Sequence, residues 1–136
     1  MNFEFTEGHL VGFHAGQTRG EIENLFGEKP KQFLKSPFCD IPTDEYRDRS
    51  VHVYFNRDDV IESIEIMRPN VFLCFGRNVL GEKAREVVDW LQLEDPSFTE
   101  FDLGYSLSNG RLKLYVPDKG DHPDVLIKAV YVDFES

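Results

Sequence analysis

One alternating stretch, Ser50 to Met67, constrains this chain more than any other, because a second copy of its pattern follows it. Val51, Val53 and Phe55 fall on one side of a strand with His52 and Tyr54 on the other, and Asn56, Arg57, Asp58 and Asp59 form a polar corner before Val60 to Met67. A period of two around a turn-rich corner predicts a β-hairpin. The alternation returns in Leu112, Leu114 and Val116 against Arg111, Lys113 and Tyr115. Leu126, Ile127, Val130 and Val132 then stand where Val60, Ile61, Ile64 and Ile66 stood. The first strands align at an offset of 61 residues and the second at 66, so the second turn carries the extra length.

A helical pattern precedes each hairpin. Thr18 and Glu21 have capping-box spacing, Thr18 accepting from the helix and Glu21 reaching back to the Thr18 amide. Ile22, Leu25 and Phe26 give that helix its apolar face, and Gly27 and Pro30 end it. In the later helix Leu80, Ala84, Val87, Val88 and Leu91 form one stripe and Glu82, Lys83, Arg85, Glu86 and Asp89 the opposite one. Asn2 to Phe5 and His9 to Phe13 read as edge strands, and Val71 to Phe75 as a strand buried on both faces. Phe98 to Leu103 and Tyr105 to Leu107 add two more, Asn109 and Gly110 make a hairpin turn, and Val125 to Phe134 closes the chain as a long strand. Lys31 to Arg49, broken by Pro37 and Pro42, reads as an ordered loop or short strands.

These elements predict an α+β fold: a mainly antiparallel sheet with two helices on one face, built from two helix-hairpin repeats, about 14–75 and about 78–134. At 136 residues the chain is long enough for one domain, 1–136, to bury a real core, whereas either half alone is marginal.

Charge narrows the partners. Twenty-five acidic residues against fifteen basic give a formal charge of −10, spread evenly over both halves. Such a surface disfavours nucleic acid and anionic membranes and favours a basic partner. No secretory or membrane-spanning pattern is present, and Cys39 and Cys74 suit free thiols in a reducing, cytoplasmic setting. Gly76 to Gly81 is followed by Glu82 where a phosphate-binding loop needs lysine. The four histidines are scattered, and Pro42 interrupts the spacing of Asp40, Asp44 and Asp48, so neither a cofactor nor a metal is expected. Cys39 or Ser50 with His52 lacks the local pattern of a nucleophile, and a non-enzymatic role is expected.

Surface for binding remains. Tyr54 and Tyr115 coincide between the two hairpins, joined by His52, Lys113 and Tyr131, and aromatic residues on an open sheet can anchor an interface. Asp40, Asp44, Glu45 and Asp48 surround Phe38 and Tyr46 in the other candidate. The expected partner-binding set is therefore Asp40, Asp44, Glu45, Tyr46, Asp48, His52 and Tyr54. A different reading places a small ligand between sheet and helices, lined by Phe13, Phe26, Phe75 and Trp90.

Gly16, Thr18, Ile22, Leu25 and Gly27, followed by Pro30, resemble the helix signature of small tandem helix-plus-sheet domains such as the β-lactamase inhibitory protein and lipoproteins of the β-barrel assembly machinery. Together with Pro42 to Tyr46 and the hairpin Val51 to Met67, the chain looks more like the small bacterial immunity proteins of contact-dependent inhibition and other polymorphic toxin systems. That resemblance implies a cytoplasmic protein that binds a delivered toxin domain, often a nuclease, and occludes its basic active site. It supplies no residue-level contact motif.

Overall fold

The computed structural model describes residues 1–134. The fold is α+β, with two helices and mostly antiparallel sheets. The strands are β1 (Asn2–Thr6), β2 (His9–Leu10), β3 (Lys31–Phe33), β4 (Thr43–Tyr46), β5 (Val51–Phe55), β6 (Ile61–Met67), β7 (Val71–Cys74), β8 (Arg77–Asn78), β9 (Thr99–Phe101), β10 (Gly104–Leu107), β11 (Leu112–Tyr115) and β12 (Ala129–Asp133). The helices are α1 (Arg19–Phe26) and α2 (Ala84–Glu94).

Eight strands form one antiparallel sheet in the order β3-β4-β5-β6-β12-β11-β10-β9. Its centre is the pair β6–β12, with Ile64 opposite Val132 and Ile66 opposite Val130. Within the hairpins, Val51 faces Ile66 and Val53 faces Ile64. Leu112 faces Val132 and Leu114 faces Val130 in the later one, so the positions aligned in the sequence occupy the same register. The helix starts correspond as well: Thr18 bridges to Val60, and Lys83 to Leu126.

A second sheet, β2-β1-β7-β8, was not expected. Here β1 pairs parallel with β7, Phe3 beside Phe72 and Phe5 beside Cys74, so β1 is internal and, of the two expected edge strands, β2 alone is one. Val71 and Leu73 are half-exposed while Phe72 and Cys74 are buried, which corrects the expectation of a strand covered on both faces. Phe75 lies beyond β7 in a turn, 52% exposed and with φ of 51°, a left-handed conformation that is costly for a bulky side chain.

One continuous core joins Phe3, Phe5 and Phe72 of the smaller sheet, Ile22, Phe26, Ala84, Val87 and Leu91 of the helices, and the alternate, inward residues of the larger sheet. The rings of Phe3, Phe13, Phe26 and Tyr46 run through it in successive contacts of 6.2, 6.0 and 4.4 Å. The smaller sheet and both helices therefore share one core with the inward residues of the larger sheet.

Local chemistry explains the helix limits. The Thr18 hydroxyl accepts from the Glu21 amide at 3.2 Å, and Gly27 ends α1 with φ of 68°. The Thr18 hydroxyl also donates to the Glu21 carboxylate at 3.2 Å, so Glu21 meets that hydroxyl rather than the Thr18 amide. Leu25, expected on the buried stripe, is about half exposed, since so short a helix turns only Ile22 and Phe26 fully inward. The closing strand is shorter than expected: Val125 and Ile127 hydrogen-bond around the start of α2 instead, at Ala84, Gly81 and Glu82. Among the described residues no helix is long and apolar enough to cross a membrane.

Candidate functional site

The outward face of the eight-stranded sheet concentrates the chain's polar aromatic chemistry. Cross-strand pairing places Lys31, Glu45, His52, Glu65, Tyr131, Lys113, Ser106 and Thr99 in one row that crosses all eight strands. Strand alternation fixes this row, because the residues on either side of it along β5, β6, β11 and β12 are core residues.

Glu65 is the hub. The Tyr54 hydroxyl donates to its Oε1 and the Tyr131 hydroxyl to its Oε2, both at 2.8 Å. His52 presents Nδ1 to Glu65 Oε1 at 3.3 Å and Nε2 to Glu45 Oε2 at 3.6 Å. Burial works against the Glu65 charge, but the hydrogen bonds from His52, Tyr131 and Tyr54 outweigh it and hold the carboxyl below its usual range. The Glu65 hydrogen bond raises the His52 pKa against the opposing effect of burial, with Glu45 adding to the rise. Burial, then the hydrogen bond to Glu65, raises both Tyr54 and Tyr131, so both phenols stay protonated. Phe33 packs edge-on against His52 at 5.3 Å, the Lys35 ammonium sits 4.9 Å above the Tyr54 ring, and Tyr115 meets Tyr131 edge-on at 6.2 Å.

His52 and Tyr54 thus lie together at the centre of this face, with Glu45 beside them. His52, 22% exposed at its side chain, is a clamped group rather than a free strand residue. The remaining expected contacts separate. Asp44 and Tyr46 alternate inward on β4 and are fully buried, which removes both from the exposed partner-binding set. Asp44 meets Arg19 at 2.5 Å and Gln32 at 2.9 Å. Tyr46 packs on Phe26 within the core. Asp40 pairs with Arg57 at 3.3 Å and Glu45 with Arg47 at 3.2 Å, while Asp48 is exposed in the short turn after β4. The β3–β4 connection carries Leu34, half exposed, and Phe38, 98% exposed.

Glu65 escaped the sequence reading. Its signal was available, since it is the position aligned with Tyr131 on the outward side of β6, directly opposite His52. The four aromatic residues of the ligand reading do not share a cavity. Phe13 lines a groove of about 260 Å³ beside Phe5 and Leu10, and Phe75 one of about 150 Å³ beside Cys74 and Leu107. Trp90 packs instead under the Arg77 guanidinium, 4.3 Å from its ring centre. Burial pushes the Cys74 thiol up to about 12, which makes it a poor nucleophile. Among the described residues no cluster of His, Cys, Asp and Glu has the geometry of a metal site.

Comparisons with family models, curated proteins and solved structures find no match for this chain.

Proposed function

We propose that this chain is a non-catalytic immunity protein, which binds a toxin domain through the outward face of its larger sheet and blocks that domain's working site. The observation carrying the reading is the half-exposed row centred on Glu65, where aromatic and ionisable side chains are held in place by one another. Rigid aromatic residues lose little conformational freedom on docking and make efficient interface anchors. Exposed apolar residues stand at both ends of the sheet, Phe33, Leu34 and Phe38 beside β3 and Phe101 and Leu103 beside β9. Eight strands at about 4.8 Å spacing make a face roughly 34 Å wide, enough for a standard interface.

The acidic-segment version of occlusion loses its support, since Asp44 is buried and Asp40 and Glu45 already have basic partners. The partner is a basic toxin domain, such as a nuclease, met in the cytoplasm. The corresponding registers of the two hairpins and helix starts further support two copies of one helix-hairpin unit, whose meeting at β6–β12 makes the continuous face.

Affinity capture from the native host, with the tagged protein as bait and mass spectrometry as readout, tests this function. A stoichiometric toxin whose toxicity this protein relieves is the expected result, with capture lost in Tyr54→Ala. Recovery of no toxin, or capture unaffected by Tyr54→Ala and Tyr131→Ala together, overturns it.

A further inference from the structure

The hydrogen-bond inventory at the centre of the face says which partner group fits there. The phenolic hydrogens of Tyr54 and Tyr131 are both committed to Glu65, and both ring nitrogens of His52 face carboxylates. What the cluster still offers is lone pairs, on the two phenol oxygens and on Glu65, together with aromatic ring faces. These groups have no hydrogen left to give, so their complement must bring donors, and a cation satisfies both the lone pairs and the rings.

This chain already shows a cation in that place. Lys35, reaching over from the β3–β4 connection, holds its ammonium 4.9 Å from the centre of the Tyr54 ring. Hydroxyls donating to a carboxylate leave their rings richer in electrons, which strengthens that attraction. Three other cations bound the site without filling it, of which Arg47 is held by Glu45 at 3.2 Å. Lys31 stands three strands from Glu65 in the row, and Lys113, two strands away, turns to Asp133 at 3.6 Å.

We propose that the Tyr54–Glu65–Tyr131 cluster is a seat for an arginine or lysine side chain of the protein partner, and that Lys35 is the internal occupant which the partner's cation replaces on docking. The inference rests on the docking reading given above and adds the chemistry of its central contact. Arginine suits the seat better than lysine, because a planar guanidinium can stack on Tyr54 while its edge donates to the phenol oxygens.

The test needs no toxin. The capped peptide acetyl-Gly-Arg-Gly-amide and its citrulline counterpart, equal in shape but uncharged, are titrated into the isotope-labelled full chain, with backbone amides and tyrosine rings followed by NMR. The arginine peptide should shift Tyr54, Tyr131 and His52, and the citrulline peptide should bind roughly tenfold more weakly. Lys35→Ala should tighten arginine-peptide binding about threefold to fivefold, the worth of an exposed cation–π contact given up by the competitor. Glu65→Gln should weaken it roughly tenfold, and the Lys35 variant keeps the test decisive should that hub substitution disturb the sheet. Equal binding of the two peptides, shifts confined to the acidic helices, or weaker binding in Lys35→Ala overturns the seat. A peptide that binds here while no toxin is captured defeats the immunity reading alone. A captured toxin with peptide shifts elsewhere defeats the seat alone.

Discussion

Asp44 shows how one side chain's direction changes its meaning. In the sequence it sits in an acidic, proline-broken stretch and reads as solvated, but β4 turns it under the sheet beside Arg19. Arg19 also reaches Asp59 at 3.0 Å and the Pro42 carbonyl at 3.2 Å, and its guanidinium lies 4.1 Å over the Phe55 ring. This joins the start of α1 to β4 and the β5–β6 turn. Asp44→Ala leaves a largely buried cation short of its nearest partner and should cost about 3 kcal/mol, seen as a lower urea midpoint at unchanged slope. His52 gives a prediction of opposite pH sense to an acid-labile carboxylate. Its folded-state pKa is raised above the ordinary value of about 6.5, so the stability it contributes is complete below that pH and is lost as pH rises through the folded value. NMR titration of the ring should give a midpoint above 6.5, and His52→Gln should abolish this part of the pH dependence of unfolding.

At the scale of elements, the turn and alternation signals are legible where contacts are local. The hairpin corner at Asn56 to Asp59, the Asn109–Gly110 turn and the Thr18 cap all occur, because each depends on residues a few positions apart. The smaller sheet was missed for the opposite reason: β2 and β8 are two residues long, and β1 meets β7 across nearly seventy positions. Gly104 carries a constraint that no local pattern shows. It begins β10 without a positive φ, and a Cβ there would lie 1.8 Å from the Leu114 carbonyl oxygen on β11. Gly104→Ala should therefore cost about 3 kcal/mol or fail to fold, measured by thermal unfolding, because the obstacle is backbone that cannot rotate away.

For the whole molecule, the two halves are tied at two places, antiparallel at β6–β12 and parallel at β1–β7. Separating them exposes the inner edges of both sheets and opens the shared core. Fragments 1–69 and 70–136 should each lack native structure by circular dichroism and recover it when mixed, whereas a fragment that folds alone would show the halves to be independent domains. The sequence by itself determined the α+β class, both helices, the two hairpins and the side of each hairpin strand that faces the core, because periodicity and turn chemistry are written in adjacent residues. Only the tertiary structure decided that the hairpins join into one eight-strand sheet, that Asp44 and Tyr46 are buried, and that Glu65 gathers His52, Tyr54 and Tyr131. Those outcomes depend on strand neighbours brought together from distant positions, and on a second sheet whose pairing leaves almost no local trace.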